Sequence, residues 1–144
     1  MFTRSQVEAA LPKLFKQAEK SSAELLLKAE RLEHNDFEEG ASFCRGQKAD
    51  FRDAIQFWFW SLQIWRLTEE QWLKLIESAK FKLVQEAEFY QYFDSYMFSW
   101  VTWEKLPLDD EFIQAIQIDD EWNEVSVVAE FKTQYIFIYW ATGG

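Results

Sequence analysis

Apolar residues recur at spacings of three and four along the first quarter of the chain, which is the pattern of an amphipathic helix. The stripe consists of Val7, Leu11, Leu14, Ala18, Ser22, Leu25, Ala29 and Leu32. Ser5 and Glu8 match a capping box at its start, and the polar residues 34–36 end it. Because Pro12 removes a helical hydrogen bond, the pattern predicts one helix kinked at that point, or two helices with the second starting at Ser21.

The next segment, residues 41–67, is ambiguous between strand and helix. Residues 55–67 are rich in aromatic and β-branched types, which favours a strand, although a fully buried helix would give the same apolar run. Thr68 and Gln71 match a second capping box and predict a helix that ends near Glu88. The apolar face of this helix consists of Trp72, Leu73, Ile76, Ala79 and Leu83 or Val84.

The segment after that helix gives weaker signals. Residues 89–103 fit one or two strands, and they fit a continuing helix as well. Pro107 ends the helix or strand that precedes it, because its ring restricts the backbone of the preceding residue. Residues 108–118 are predicted to form a short helix, which Asp109 is placed to cap.

The end of the chain has the clearest pattern. Residues 125–131 and 135–140 are apolar, β-branched or aromatic runs that flank 132–134, which predicts a β-hairpin with a short loop. The second strand is apolar on both faces, so we expect it at the centre of the sheet with both faces covered. The prediction is one α+β domain of residues 1–144, in which N-terminal helices and a middle helix pack on an antiparallel sheet ending in this hairpin.

Composition adds two constraints to this picture. The 14 Phe, 8 Trp and 5 Tyr would occupy about 5,400 Å² at roughly 200 Å² each, whereas a chain of this mass can bury about 17,000 Å². All of them fit inside, so their number does not require an exposed binding surface. Cys44 is the only cysteine, which excludes an internal disulfide, and residues 1–17 lack the apolar run of a signal peptide. We therefore expect a cytoplasmic protein.

The net charge of -10 is unevenly distributed. Residues 106–144 carry eight acidic residues and one basic residue, Lys132, and therefore account for -7 of it. A negative field of this kind repels nucleic acid and anionic membranes and attracts basic proteins. We accordingly expect a basic protein partner, and neither nucleic acid nor a membrane.

Few residues are suited to catalysis. His34 and Cys44 are the only residues of their types, which excludes a Cys/His zinc site. We expect His34 at a helix end, where it interacts with terminal carbonyls, and Cys44 in the interior. The four glycines form no phosphate-binding loop. The sequence therefore predicts no catalytic residue, no metal and no cofactor.

Carboxylates are the one abundant catalytic type, and they form two clusters. The clusters are Asp109, Asp110 and Glu111, and then Asp119, Asp120 and Glu121 with Glu124. Their spacing does not match an EF-hand loop, and a glycosidase pair normally lies in a deeper cleft than so small a domain provides. Two solvated turns flanking a short helix are the simplest interpretation, and a recognition surface is the alternative.

Trp122 differs from the other tryptophans because it lies in the polar stretch 119–124, which is expected to be a loop. It either anchors a basic partner, as Trp often does in interfaces, or closes the core beside the hairpin. A small acidic α+β chain without catalytic groups, with Asp119-Asp120-Glu121-Trp122-Asn123-Glu124 before a hydrophobic hairpin, resembles bacterial toxin-immunity proteins in general character. The resemblance implies a protein that binds and blocks a cognate, often basic, toxin domain.

The leading hypothesis is an acidic protein-binding module, most concretely an immunity-type inhibitor that masks a basic toxin surface through the two clusters and Trp122. The alternative is a small-ligand-binding domain, whose pocket under a curved sheet is lined by Trp58, Trp60, Trp100 and Trp103. A carboxylate enzyme and a DNA mimic are further alternatives. A closed core beside an acidic face favours the protein binder, and an open aromatic cavity favours the ligand binder.

Overall fold

The computed structural model describes residues 1–25, 29–36, 38–106 and 109–143. Within these ranges the chain forms four α-helices and six strands: α1 (Arg4–Leu25), β1 (Glu30–Asn35), β2 (Glu39–Gln47), α2 (Ala54–Leu62), α3 (Glu69–Ser78), β3 (Lys82–Val84), α4 (Glu86–Tyr96), β4 (Phe112–Glu121), β5 (Glu124–Phe131) and β6 (Gln134–Thr142). The strands form one antiparallel sheet in the order β1-β2-β6-β5-β4-β3. The predicted α+β class is confirmed. None of the helices in these ranges is long and apolar enough to cross a membrane.

Helices cover both faces of the sheet, and each face has its own hydrophobic core. The core of the α1–α3 face combines residues of those helices with Ile116, Val128, Tyr135 and Phe137. The core of the α4 face combines residues of α4 with Val127, Phe131, Ile136 and Ile138. Alternate residues of β6 therefore contact opposite cores. This confirms that β6 is central, and that it is covered on both faces over residues 135–138.

The C-terminal hairpin is also confirmed. Strands β5 and β6 pair from Glu124 opposite Ala141 to Glu130 opposite Tyr135. The chain reverses through two residues, 132 and 133, which matches the short loop expected between two strongly apolar strands.

The N-terminal stripe forms one helix, α1, which contains Pro12, so the two-helix alternative is not realised. The capping bonds lie two residues earlier than predicted. The N–H of Thr3 donates to the Gln6 side chain at 2.9 Å, and the N–H of Gln6 donates to the Thr3 hydroxyl at 3.3 Å. The predicted continuation of the helix through Leu32 is wrong, because residues 30–35 form strand β1.

Contacts with distant residues fix β1 as a strand. It pairs with β2 along its whole length, and the guanidinium of Arg31 donates to the carbonyl oxygens of Trp60 and Ser61 at 2.9 and 2.7 Å. Such tertiary contacts override local helical spacing. His34 consequently lies in a strand, not at a helix end, and stacks on Trp100 with ring centroids 5.6 Å apart.

The strand predicted for residues 55–67 is wrong, because helix α2 forms there and a short 3₁₀ helix follows it. Asp53 caps α2 by accepting a hydrogen bond from the N–H of Gln56 at 2.8 Å. Residues 57–62 are all buried, and Phe59 stacks on Trp72 of α3 at 5.2 Å between centroids. A helix that is buried all round is apolar all round. It therefore has no polar face from which its period could be recognised.

The capping box of Thr68 and Gln71 is confirmed, with reciprocal bonds of 2.8 and 3.1 Å. The helix that it starts, α3, ends at Ser78 and not near Glu88. Glu88 belongs to a further capping box, formed with Gln85, which starts α4. Two capped helices thus replace the single predicted one.

The strands predicted for residues 89–103 are wrong, and the helical alternative holds for their first half. Phe89, Phe93 and Met97 recur every four residues and are completely buried on the α4 face. This spacing matches one side of a helix and would place the three residues on the same face of a strand as well. The burial of α4 against the sheet, which the sequence did not reveal, decides between them.

Strand β4 replaces the short helix that was predicted for residues 108–118. Asp109 therefore caps no helix, and Pro107 and Leu108 lie outside the described residues. Strand β4 pairs with β5 from Phe112 to Glu121, and its residues 115–118 are buried. Pairing with its neighbours in the sheet holds the segment as a strand. The prediction failed because so short a segment shows no reliable hydrophobic period of its own.

Candidate functional site

The two acidic clusters lie at opposite ends of strand β4. Asp109, Asp110 and Glu111 precede the strand, whereas Asp119, Asp120 and Glu121 are its last residues and Glu124 begins β5. The strand has ten residues, and at about 3.3 Å per residue it separates the clusters by about 30 Å. The eight predicted site residues therefore do not form one continuous surface.

The first cluster belongs to the turn between β5 and β6. The carboxylate of Asp110 accepts hydrogen bonds from the N–H and the hydroxyl of Thr133 at 3.0 and 2.7 Å, and the carbonyl of Glu111 accepts one from the N–H of Lys132 at 2.7 Å. Desolvation raises the pKa of Asp110, but the bonds from Thr133 outweigh it and hold this pKa below its ordinary value. The carboxyl group of Asp110 thus has a structural use.

The second cluster, residues 119–124, forms the end of the β4–β5 hairpin, and we call it the hairpin tip. Glu121 pairs with Glu124, and Trp122 and Asn123 form a two-residue turn where a longer loop was expected. The side chain of Trp122 is 76% exposed, more than any other large apolar side chain in the described ranges. It therefore does not close the core.

Strand β6 and the connection between α3 and β3 hold the hairpin tip in place. The N–H of Thr142 donates to the carbonyl of Asn123 at 3.0 Å. The ammonium group of Lys80 donates to the carbonyl of Asp120 at 3.0 Å and lies 3.6 Å from the carboxylate of Glu121. The turn that presents Trp122 is therefore attached to the rest of the fold on two sides.

A cavity of about 270 Å³ opens beside the hairpin tip, between helices α2 and α3 on one side and the sheet on the other. Its walls are Trp58, Leu62, Trp65, Leu67, Leu75, Ile118, Phe137 and Tyr139, and its polar end is Asp119, Glu124 and Ser126. Of the four tryptophans predicted to line a pocket, Trp58 is the one among the described residues that line this cavity. Trp60 is buried elsewhere in the same core, and Trp100 and Trp103 pack on the α4 face.

A β-bulge determines which side chains reach this cavity. The pairing of β4 with β5 shifts between Gln117 and Asp119, so that Ile118 has no partner of its own. Bulges of this kind change the direction of side chains. Ile118 and Asp119 are consecutive, yet both line the cavity. Without the shift, alternation along the strand would direct one of them to the opposite face.

The carboxyl groups of Asp119 and Glu124 form a pair at the polar end of the cavity. Burial, together with the charge and hydrogen bond of Asp119 and the charge of Glu121, raises the pKa of Glu124 to about 7. Asp119 is oriented by Ser126, whose hydroxyl donates to its carboxylate at 3.0 Å. The neighbouring carboxylate charges and partial burial therefore make Glu124 hold its proton more readily than a free glutamate.

Tyr139 completes this polar end. Burial, and then the charges of Glu124 and Asp119, raise the pKa of its hydroxyl to about 12, so it is neutral at physiological pH. Its ring lies 5.0 Å from that of Trp65, measured between centroids. The cavity therefore combines aromatic walls with a hydroxyl donor and two carboxyl groups.

Other candidate groups lie away from this site. Cys44 is completely buried, as predicted, and burial raises the pKa of its thiol to about 12, which makes it a poor nucleophile. The ring of His34 lies against Trp100 and 3.6 Å from the carboxylate of Asp36. Among the described residues, no group of three His, Cys, Asp or Glu side chains is arranged to hold a metal ion.

Sequence reasoning found the acidic residues of the hairpin tip and, as the alternative, an aromatic pocket that includes Trp58, but it did not join the two and missed the lining residues Trp65, Ser126 and Tyr139. A signal was present in the spacing of the polar residues: in a hairpin turning at 122–123, Asp119 pairs with Ser126, and Glu124 lies two residues before Ser126 on the same face of β5. This signal could not be used, because the sequence pattern did not show that β4 is a strand.

Comparison of the chain with family models, with curated proteins and with solved structures gives no match.

Proposed function

We propose that this chain is an acidic protein-binding module that docks a basic partner through its hairpin tip, most concretely as an immunity-type inhibitor that masks a toxin surface. The observation that carries this proposal is the exposure of Trp122 between carboxylates on an anchored turn. The proposed contact surface is Asp119, Asp120, Glu121, Trp122 and Glu124.

The position of Trp122 supports this role better than its exposure alone. Single apolar residues on a surface need no explanation. Tryptophan, however, is the type most enriched among residues that dominate binding energy. Because the carbonyls of Asn123 and Asp120 accept hydrogen bonds from Thr142 of β6 and from Lys80 between α3 and β3, the turn is ordered before the partner arrives. Binding then costs less conformational entropy.

Charge supplies the second part of the mechanism. The excess of carboxylates in the last quarter of the chain attracts a basic surface and accelerates encounter. The cluster of Asp109, Asp110 and Glu111 lies about 30 Å away, so we assign it to long-range attraction and not to contact. The same field repels nucleic acid and anionic membranes, and we place the protein in the cytoplasm.

The test is affinity capture from the native organism, identification of the captured protein by mass spectrometry, and binding kinetics with the purified partner. We expect a basic protein whose dissociation is roughly 30-fold faster from Trp122→Ala, which corresponds to about 2 kcal/mol. The matched control is Leu83→Ala, which removes another exposed apolar side chain (60% exposed) on strand β3. Leu83→Ala should leave dissociation unchanged.

Two results would contradict the proposal. One is equal dissociation from wild type and Trp122→Ala, which would place the interface elsewhere. The other is a partner that is acidic at its contact surface.

The immunity-type role has a test of its own. Expression of the partner alone should arrest growth, and co-expression with this chain should restore it. Restoration should weaken with Trp122→Ala.

A further inference from the structure

The cavity beside the hairpin tip shares Asp119 and Glu124 with the proposed contact surface but is not lined by Trp122. Its volume of about 270 Å³ lies just below the range of about 300–1,000 Å³ that holds drug-sized ligands. It therefore suits a molecule smaller than a typical drug. Apolar pockets with a few convergent polar groups are the usual form of a small-molecule site.

The apolar part of the cavity has aromatic walls on two layers of the fold. Trp58 and Trp65 come from the helical layer, and Phe137 and Tyr139 come from β6. Trp65 is 41% exposed although its ring contacts Tyr139, so this wall is open to solvent at one side. A ligand can enter there without unfolding of the core.

The polar part of the cavity selects for positive charge. Asp119 and Glu124 lie at the same end, with Glu121 close enough to affect the ionisation of Glu124. No residue that lines the cavity in the described ranges is basic. Lys80, which lies near this end, already contacts Glu121 and the carbonyl of Asp120. An anionic ligand would be repelled, and a hydrocarbon would offer the two carboxyl groups no hydrogen bond in exchange for the water that it displaces.

We propose that this cavity binds a small organic amine with an aromatic body, whose ammonium group is held between the carboxylates of Asp119 and Glu124. Both carboxylates accept hydrogen bonds from the ammonium group, which has three donors. The neutral hydroxyl of Tyr139 adds a further polar contact. The aromatic body packs against Trp58 and Phe137, while the face of Trp65 attracts the positive charge.

Binding of a cation in this position has a consequence for protons. The carboxyl group of Glu124 is partly protonated near neutral pH, because its pKa is raised to about 7. The ammonium group stabilises its ionised form, so binding releases part of a proton and strengthens between pH 6 and pH 8. The groups that face Glu124 are Asp119 and Glu121 on β4 and Tyr139 on β6. The described helical residues that line the cavity do not titrate.

The test uses 2-phenylethylamine as the probe, with two molecules of similar shape as controls: 2-phenylethanol, which is neutral, and phenylacetate, which is anionic. Isothermal titration calorimetry at pH 8 should show one site for the amine, with an affinity about tenfold or more above that for either control. At pH 6 the amine should bind more weakly, and titration in two buffers of different ionisation enthalpy should show proton release.

Variants locate the site. Glu124→Gln and Asp119→Asn should each weaken amine binding about tenfold or more, and Glu124→Gln should also abolish the proton release. The matched control is Glu77→Gln, which removes an exposed charge from α3 outside the cavity and should not change the affinity. Circular dichroism of each variant separates loss of the site from loss of the fold, and the comparison among the three probes needs no variant.

The proposal is wrong if the wild-type protein binds the amine and the alcohol equally, or binds phenylacetate more tightly than the amine. It is also wrong if no probe binds at about 10 mM, which is about the weakest affinity that such a fragment would show. Full amine affinity in a folded Glu124→Gln variant would also overturn it. Because no protein partner takes part, these outcomes are separate from success or failure of docking at Trp122.

Discussion

The two ends of strand β4 carry similar acidic sequences and have different structures. At the first end, Asp110 is bound by Thr133, and the adjacent rings of Phe112 and Phe131 pack with centroids 5.5 Å apart. At the second end, Trp122 is exposed and a cavity separates the helices from the sheet. Acidic residues alone therefore do not mark a binding site. What distinguishes the ends is whether an aromatic side chain is exposed beside the carboxylates and whether the core next to them is filled.

The largest difference between the ends should be in packing energy. Phe131 is completely buried at the filled end, so we expect Phe131→Ala to lower the free energy of unfolding by about 3–5 kcal/mol. Trp140, near the other end, is partly buried and packs on Tyr96 at 4.8 Å between centroids. Trp140→Ala should cost about half as much, since its surroundings are more open to solvent. Urea denaturation measures both values, and equal losses would show that the ends are packed alike.

The next difference should be in association with the partner. Reversing Asp120 and Glu121 to Lys should slow association roughly tenfold at low salt and weaken its salt dependence, because these charges lie at the proposed contact. The control reverses Asp109 and Glu111, which changes the net charge equally but at the far end. Asp110 stays unchanged because it holds Thr133.

Surface-binding kinetics at two salt concentrations compare these variants. We expect the far-end reversal to slow association only about twofold, through long-range attraction. Both variants should unfold at the wild-type denaturant concentration, since exposed charges contribute little to stability. Equal slowing by both reversals would mean that net charge, and not the hairpin tip, controls encounter.

The smallest difference should be a pH dependence of opposite sign at the two ends. The pKa of Glu124 is about 7, above the ordinary 4.5, so the folded state keeps a proton that the unfolded chain has released. The contribution of Glu124 to stability is therefore present below pH 4.5 and is lost as the pH rises to about 7. For Asp110 the pKa is lowered, so its contribution is present above pH 3.8 and is lost as the pH falls through the folded value.

Two neutral variants separate these contributions. Relative to Glu124→Gln, the wild-type protein should lose about 1 kcal/mol of stability between pH 5 and pH 8, a small value because the partly exposed pair is screened by solvent. Relative to Asp110→Asn, it should lose stability below pH 4. Denaturant titration at pH 3, 5 and 8 measures both slopes. A difference from Glu124→Gln that does not change with pH would contradict the proposed pair.

The parts of the fold that the sequence predicts correctly are those that depend on local chemistry. The capping box at Thr68 needs only two residues three positions apart, and the C-terminal hairpin needs two apolar runs and a short turn. Strand β1 and helix α2 could not be predicted from local chemistry, for opposite reasons. The first has helical spacing but is held by pairing with β2 and by Arg31, and the second is so deeply buried that it shows no period.

The sequence predicted which residues belong to the candidate site, but not how those residues are arranged in space. The acidic stretch and Trp122 stand out in the sequence, because polar residues interrupt an apolar region there. The facing of Asp119 and Glu124 depends on the bulge after Gln117, and the cavity depends on α2 and α3 lying above it. Both features arise from pairing and packing across many residues. No local window of the chain contains that information.

The order of the strands also bears on how copies of this protein behave when crowded together. The outer strands of an open sheet expose unpaired backbone groups, to which a second molecule can add a strand and begin aggregation. Here one outer strand, β3, is only three residues long, and the other, β1, carries Glu30, Arg31 and Glu33. Short length and charge are the means by which natural proteins block such edge-to-edge growth. The long apolar strands β5 and β6, the most prone to aggregate, are enclosed between their neighbours and stay out of reach for as long as the sheet remains folded.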